Sequence, residues 1–246
     1  MPRSDGRSPH ALRKISIETP FFRHAEGSAA IRMGNTWVAC AASLETRLPF
    51  WMRGQRSGWV TAEYGLLPRS VPERAARNRV SGRNFEIQRL VGRSLRAITD
   101  LDLLGERQII IDCDVFEADG GTRTASVTAA YVALHQVCRH LLEKGEIRKF
   151  PIKDQLAAIS VGLINGEPVL DLDHAEDSAA DVDFNVVMTG SGHFVEVQGT
   201  AEGRPYTRQE LNKMLSLAAS GIRKVLKAQA RVLPWILSPE VKDGGE

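Results

Sequence analysis

The chain has 246 residues, of which 43% are hydrophobic and 25% charged, with a formal net charge of +2. These values fit a globular chain with a sizeable core and exclude a disordered or fibrous one. Charge interrupts every apolar run before the roughly 18 residues that a membrane span needs. No apolar signal region follows residues 1–7, so a cytoplasmic protein without membrane attachment is expected.

In chain order, residues 3–13 read as an irregular arm and residues 14–18 alternate as a strand. Strand-like runs at 28–33 and 36–43 meet at Gly34-Asn35, a hairpin signal. A loop over 48–58 carries Phe50 and Trp51, and a short strand follows at 59–64. An arginine-rich connection then leads to Ser81-Gly82-Arg83. From Phe85 the period becomes helical, with Ile87, Val91, Ser94, Leu95 and Ile98 on one face and Arg89, Arg93 and Arg96 opposite. A strand over 108–116 runs into Gly120-Gly121, and a helix is expected from Ala125 to about Glu143, stopping at Lys144-Gly145.

Pro151 opens a link to a second half. Strands are expected at 155–164 and 169–173 around an Asn165-Gly166 turn, and at 183–188 and 193–198 through Thr189-Gly190-Ser191-Gly192. Thr207, with Glu210 three residues on, caps a final helix, and a loose tail is expected at 234–246. Both halves, about 1–150 and 151–233, run hairpin, further strands, long helix. The expectation is an α+β fold of two pseudo-repeated halves, mixed β-sheet packed with α-helices.

Three groups of residues carry chemistry. The first is Gly120-Gly121-Thr122-Arg123-Thr124, a glycine turn that opens a helix, with Arg83 as a second guanidinium. Free amides and the positive end of a helix dipole suit a phosphate there. The same residues also serve as a tight turn and a helix cap. No Walker pattern is present.

The second group is the acidic segment 171–185. It offers oxygens from Asp171, Asp173, Glu176, Asp177, Asp181, Asp183 and Asn185, of which Asp181, Asp183 and Asn185 would share one face of a strand. Such donors suit Mg²⁺ or Mn²⁺, and a carboxylate can act as general acid. A solvated acidic loop is the competing reading, and His174 reads equally as loop residue or ligand.

The third group is basic. Residues 69–96 hold eight arginines, no lysine, and only Glu73 and Glu86 as acids. A local basic region on a near-neutral chain points to a polyanion, and arginine favours planar phosphate contacts and stacking on bases. Arg69, Arg74, Arg77 and Arg79 lie in loop context; Arg89, Arg93 and Arg96 fit a solvated helix face as well as RNA contact. Phe50 and Trp51 are candidates for base stacking or for core and subunit contacts. Cys40, Cys113 and Cys138 lack metal-ligand spacing and are read as buried, reduced thiols.

Longer motifs carry a resemblance. Asp5-Gly6-Arg7, Gly58-Trp59-Val60-Thr61-Ala62-Glu63-Tyr64, Leu67-Pro68-Arg69 and Glu86-Ile87-Gln88-Arg89-Leu90-Val91-Gly92-Arg93 are among them. Ala118-Asp119-Gly120-Gly121-Thr122-Arg123-Thr124-Ala125-Ser126, Glu176-Asp177-Ser178 and Val195-Glu196-Val197-Gln198-Gly199-Thr200 belong to the same set. Over nearly its whole length the chain resembles the bacterial ribonuclease PH family.

The resemblance implies a ribonuclease PH-like fold and a phosphorolytic 3′→5′ exoribonuclease that trims tRNA precursors and releases nucleoside 5′-diphosphates. It carries phosphate-binding roles onto Arg83, Gly121, Thr122 and Arg123, and catalytic roles onto Asp177 and Asp183. Mg²⁺ (or Mn²⁺) would sit at Asp177, Asp183 and Asn185, with inorganic phosphate as co-substrate. RNA would be met by Arg69, Arg74 and Arg77, and the assembly would be a homohexamer, a trimer of dimers. A non-catalytic RNA-binding ring subunit is the alternative. Two departures stand out: the stretch between Arg69 and Ser81 is shorter than the family's, and Asn84 replaces an expected threonine.

Overall fold

The computed structural model describes residues 3, 5–52, 54–77 and 81–233. The expected tail at 234–246 and Arg79 lie outside these residues. In the first half, β1 (Ile15–Glu18), β2 (Gly27–Met33), β3 (Thr36–Glu45), β4 (Trp59–Leu66) and β5 (Gln108–Glu117) form one sheet in the order β1-β2-β3-β5-β4. All its pairs are antiparallel except β4 with β5. A parallel pair requires a crossover, and α1 (Gly82–Ala97) with the short α2 (Leu101–Leu104) supplies it.

The second half holds β6 (Leu156–Ile164), β7 (Glu167–Leu170), β8 (Val182–Thr189) and β9 (Phe194–Ala201) in the order β7-β6-β8-β9, antiparallel throughout. The six-residue α4 (His174–Ala179) links β7 to β8, and α5 (Arg208–Ala230) packs on β6 and β7. The architecture is the expected α+β arrangement.

Between the sheets lies α3 (Thr122–Glu143), which touches β2 and β3 on one side and β6 on the other. Sixteen of its 22 residues are buried, the mark of a helix with no solvent face. Its alanines let the backbones come close: a Cβ on Gly27 would fall 2.1 Å from the Ala133 carbonyl oxygen. The hydroxyls of Ser126 and Thr128 donate to carbonyl oxygens one turn back, so neither hydroxyl is stranded. From α5, the buried Gln229 Nε2 donates to Thr128 O and Leu156 O, tying α5 to α3 and β6.

Three boundaries differ from expectation and matter for the site. α1 starts at Gly82, ahead of Phe85, because Ser81 and Asn84 cap each other's backbone amides. α3 starts at Thr122, ahead of Ala125, because Gly121 takes a left-handed conformation (φ 66°, ψ 22°) and hands the chain straight into the helix. β7 runs from Glu167 to Leu170 and stops short of 173, because Asp171 has φ 56° and breaks the strand. The three cysteines are buried and free, as expected. Among the described residues no helix is long and apolar enough to cross a membrane.

Candidate active site

The end of β5 brings the chain to Gly120 and Gly121, both at positive φ. The first turn of α3 is therefore Thr122, Arg123 and Thr124, preceded by a glycine that offers no side-chain cap. The expected anion turn is thus the helix terminus itself, with its orphan amides. Thr122 is nearly buried, and its hydroxyl lies 2.9 Å from that of Tyr64 on β4. Thr124 Oγ1 donates to Gly121 O.

Arg123 is held from two directions. Its Nη1 donates to Glu86 Oε1 of α1 (3.2 Å) and to Gln198 Oε1 of β9 (3.1 Å), and Gln198 Nε2 in turn donates to Glu86 Oε1. Arg83 projects from the first turn of α1. That turn is anchored by Asn84, whose Nδ2 donates to Tyr64 O of β4. Asn84 therefore completes the cap and ties α1 to the sheet.

The acidic segment separates into structural and unspent groups. Asp171 accepts from the Arg13 backbone N–H (2.7 Å) and guanidinium (2.7 and 3.1 Å). Glu176 is bonded to Arg3 through both oxygens. Asp173 caps α4. Asp181 precedes β8 and does not line the cleft, so it does not join the strand face expected for it. Three of the seven candidates remain: Asp177 on α4, and Asp183 and Asn185 on β8.

These three meet the helix terminus across a cleft of about 320 Å³. Arg83, Gly121, Thr122 and Arg123 line it from the first half; Asp177, Asp183 and Asn185 line it from the second. Asp183 Oδ1 is buried without a hydrogen-bond partner, while Oδ2 accepts weakly from Asn185 (3.4 Å). Burial, and next the charge of Asp177, push the Asp183 pKa up to about 6, against the pull of Arg123, the Asn185 bond and Arg83. A raised carboxyl beside a basic helix end makes this cleft the candidate site. His174, exposed at the start of α4, lines the same cleft, as do Tyr64 and Ser160, which sequence reasoning missed. Strand alternation alone gave no signal for these last two.

The basic region divides. Arg69, Arg74 and Arg77 are exposed, on a loop whose Val71 and Pro72 line the cleft; Arg69 Nη1 donates to Pro72 O. Arg93 and Arg96 are not the purely solvated face the period implies. Arg93 pairs with Glu196 of β9 at 2.7 Å. Arg96 donates to Val60 O and lies over the Trp59 ring, 4.3 Å from its centroid. Phe50 and Trp51 are exposed but do not line the cleft, and Trp51 packs edge-on against Trp59.

The whole fold matches solved structures that share little sequence with this chain. An Archaeoglobus fulgidus exosome structure, described with RNA bound to the active site, aligns with a TM-score of 0.79 at 21% identity over 92% of this chain and 91% of that one. Rice (Oryza sativa) Rrp46 aligns with a TM-score of 0.77 at 18% identity, covering 94% and 99%. An archaeal exosome core subunit gives 0.75 at 21% identity, covering 92% and 90%. At these identities the likeness is one of fold. Two family models go further: domain 1 of the 3′ exoribonuclease family matches residues 11–139, and domain 2 matches residues 154–221. The chain belongs to this family, the ribonuclease PH-like 3′ exoribonucleases.

Proposed function

We propose that this protein is a phosphate-dependent 3′→5′ exoribonuclease of the bacterial ribonuclease PH type, which trims the 3′ ends of tRNA precursors. One observation carries the reading. A single cleft holds Arg83, Thr122 and Arg123 opposite Asp177 and Asp183, so an anion site faces an acidic pair.

In this reading inorganic phosphate sits on the α3 terminus, held by the Gly121–Arg123 backbone, the Thr122 hydroxyl and the two guanidiniums. One of its oxygens attacks the last phosphorus of the RNA. The bond from that phosphorus to the 3′ oxygen of the preceding nucleotide breaks. The products are a nucleoside 5′-diphosphate and an RNA one nucleotide shorter with a free 3′ hydroxyl. Positioning and charge neutralisation are what such a transfer chiefly needs.

Without a bound cation Asp183 holds a proton up to about pH 6, and a carboxyl in that state could serve as general acid to the leaving oxygen. The donor set also fits a divalent cation. Asp183 Oδ1 is an orphaned buried oxygen, and Asp177 and Asn185 line the same wall. Among the described residues no cluster of three or more His, Cys, Asp or Glu is arranged to hold a metal. Two carboxylates and an amide suit Mg²⁺ (or Mn²⁺), which keeps several waters and takes substrate phosphate as ligand. Held by Asp177, Asp183 and Asn185, such an ion would supply charge neutralisation for the phosphoryl transfer.

Arg69, Arg74 and Arg77 lie on the loop beside the cleft and are assigned to the RNA backbone. The functional unit spans both halves, 1–150 and 151–233, since neither carries the whole site. A homohexamer, a trimer of dimers working in the cytoplasm, completes the proposal; the fold likeness to exosome core structures is in keeping with an assembled state.

The test is RNA with a free 3′ hydroxyl, incubated with Mg²⁺, with and without phosphate. Nucleoside diphosphates released only with phosphate support the reading. Nucleoside monophosphates released regardless of phosphate overturn it, and tight RNA binding without turnover favours a non-catalytic ring subunit.

A further inference from the structure

We propose that Arg3, acting through Glu176, is a positioning residue that fixes Asp177 against the cleft. The proposal rests on the reading of Asp177 as a carboxylate of the reaction centre. Its starting point is that α4 has six residues, far fewer than a helix needs to hold itself together in water. Something outside it must set its rotation.

The capping pair is one part. Asp173 Oδ1 accepts from the Glu176 amide (2.9 Å), and Glu176 Oε2 accepts from the Asp173 amide (3.0 Å). The larger part comes from the N-terminal arm. Arg3 Nε donates to Glu176 Oε1 at 2.7 Å, and Nη2 donates to Oε2 at 2.6 Å. The two side chains are only 4% and 9% exposed.

The remaining Arg3 donors reach Leu170 O (2.9 Å) and Asp171 O (2.8 Å), and return to the arm at Ser8 O and Ala11 O. One guanidinium thus spans the bend from the end of β7 to the body of α4. Glu176 and Asp177 are neighbours on that helix, about 100° apart around its axis. With Glu176 pinned to the arm, Asp177 is turned toward the cleft that it lines.

A buried ion pair adds little net stability over an apolar contact of equal volume. A bidentate fork, though, constrains direction as an apolar contact does not. The geometry therefore points to orientation as the role of this pair.

The experiment compares the full-length assembled protein with Arg3→Met, Arg3→Lys and Glu176→Gln variants. The readouts are phosphorolysis kinetics, Mn²⁺ binding by electron paramagnetic resonance without RNA, and amide exchange. Loss of a group bonded directly to a metal ligand typically costs about 10- to 100-fold in metal affinity or turnover, which bounds the effect of Arg3, one residue further out. Expected are a kcat fall and a rise in the Mn²⁺ dissociation constant within that bound, a phosphate KM within about twofold of wild type, and faster exchange over 174–179. The core amides of α3 keep their protection, and Arg3→Lys is intermediate because it keeps the charge and loses the fork.

Unchanged Mn²⁺ binding and unchanged α4 exchange in Arg3→Met would overturn the proposal. So would a parallel loss of α3 protection and of phosphate affinity, which marks a general fall in stability. If Arg3→Met does not fold, Arg3→Lys and Glu176→Gln are read against the same criteria. A wild type without phosphorolysis sinks the functional reading alone, since Mn²⁺ binding and exchange still decide the clamp.

Discussion

Gly120 lies against Asp173, backbone to backbone. A Cβ on Gly120 would fall 2.6 Å from the Asp173 carbonyl carbon and 2.5 Å from the Leu172 carbonyl oxygen. Arg13 secures the same junction from the arm, donating to the carbonyl oxygens of Asp119 and Gly120 while it grips Asp171. The contact joins the halves beside the cleft, because Thr122 follows Gly120 by two residues and Asp177 follows Asp173 by four.

Gly120→Ala therefore meets two penalties. The φ of 72° costs an alanine roughly 1–2 kcal/mol, and the rigid carbonyl neighbours add roughly 1–3 kcal/mol of overpacking. The variant is expected to lose at least ~2 kcal/mol and several degrees of Tm. Under the proposed function, phosphorolysis should fall by more than the folded fraction, since the halves are pushed apart at the site. Equal Tm values by calorimetry would sink this account of the junction.

Arg123 uses only Nη1 for its side-chain hydrogen bonds among the described residues. Nε and Nη2 are thereby available to an anion on the helix end. Charge-assisted hydrogen bonds contribute roughly 1.5–3 kcal/mol. Arg123→Ala is thus expected to raise the phosphate KM by about 10- to 100-fold, with RNA affinity little changed. Gln198→Ala should raise it by less, because Glu86 still holds the guanidinium. Phosphate titrations of initial rate decide this, and an unaltered KM for Arg123→Ala removes that residue from the phosphate site.

Asp183 strains the fold that holds it. Its pKa is raised from 3.8 to about 6, first by burial and next by Asp177. A raised acid pKa favours the protonated form in the folded state. The sign is therefore destabilising as pH climbs from about 4 through 6, and constant above. In metal-free, phosphate-free buffer, Asp183→Asn should stabilise the protein by ~1–2 kcal/mol at pH 7.5, allowing for partial exposure. The gain should vanish below about pH 4, where the unfolded carboxyl is protonated too. Denaturant unfolding at the two pH values measures it. A variant that is less stable at pH 7.5 contradicts the assigned burial cost.

Much of this molecule was legible in its residues, and the gaps have physical reasons. The Asn165-Gly166 turn has both residues at positive φ, and Thr207 with Glu210 forms the capping box that opens α5, both as read. Short helices escaped, because four residues in α2 and six in α4 cannot establish a 3.6-residue period. The Asp173–Glu176 pair that caps α4 was nonetheless in plain view as a cap signal. The start of α1 was hidden because asparagine, not glutamate or glutamine, closes its cap.

The acidic segment shows a deeper limit. Seven oxygen-bearing side chains look alike in composition, and the partners that remove some of them lie far away in sequence. Arg3 is 173 positions from Glu176, and Arg13 is 158 from Asp171. Only folding reveals that Asp171 and Glu176 are taken by arginines, while among the described residues Asp177 and Asp183 form no ion pair. Likewise Arg96 reads as a surface charge until Trp59 and Val60 O are found beneath it.

The arginine loop gives a prediction that does not depend on turnover. Arg69, Arg74 and Arg77 are exposed next to the cleft, on a loop pinned to the end of β5 by the Leu67 N–H donating to Val115 O and the Ala118 N–H donating to Ser70 O. Each phosphate neutralised on a single strand contributes about 0.7 to the slope of log K against log salt. Replacing all three with alanine should weaken binding of single-stranded RNA and reduce that slope by about 2. Because the contacts are to backbone, the loss should be similar across RNA sequences, and phosphate KM should hold. Fluorescence anisotropy across a salt series gives both affinity and slope. A slope identical to wild type would place these arginines off the RNA path and return the basic region to α1 and the cleft.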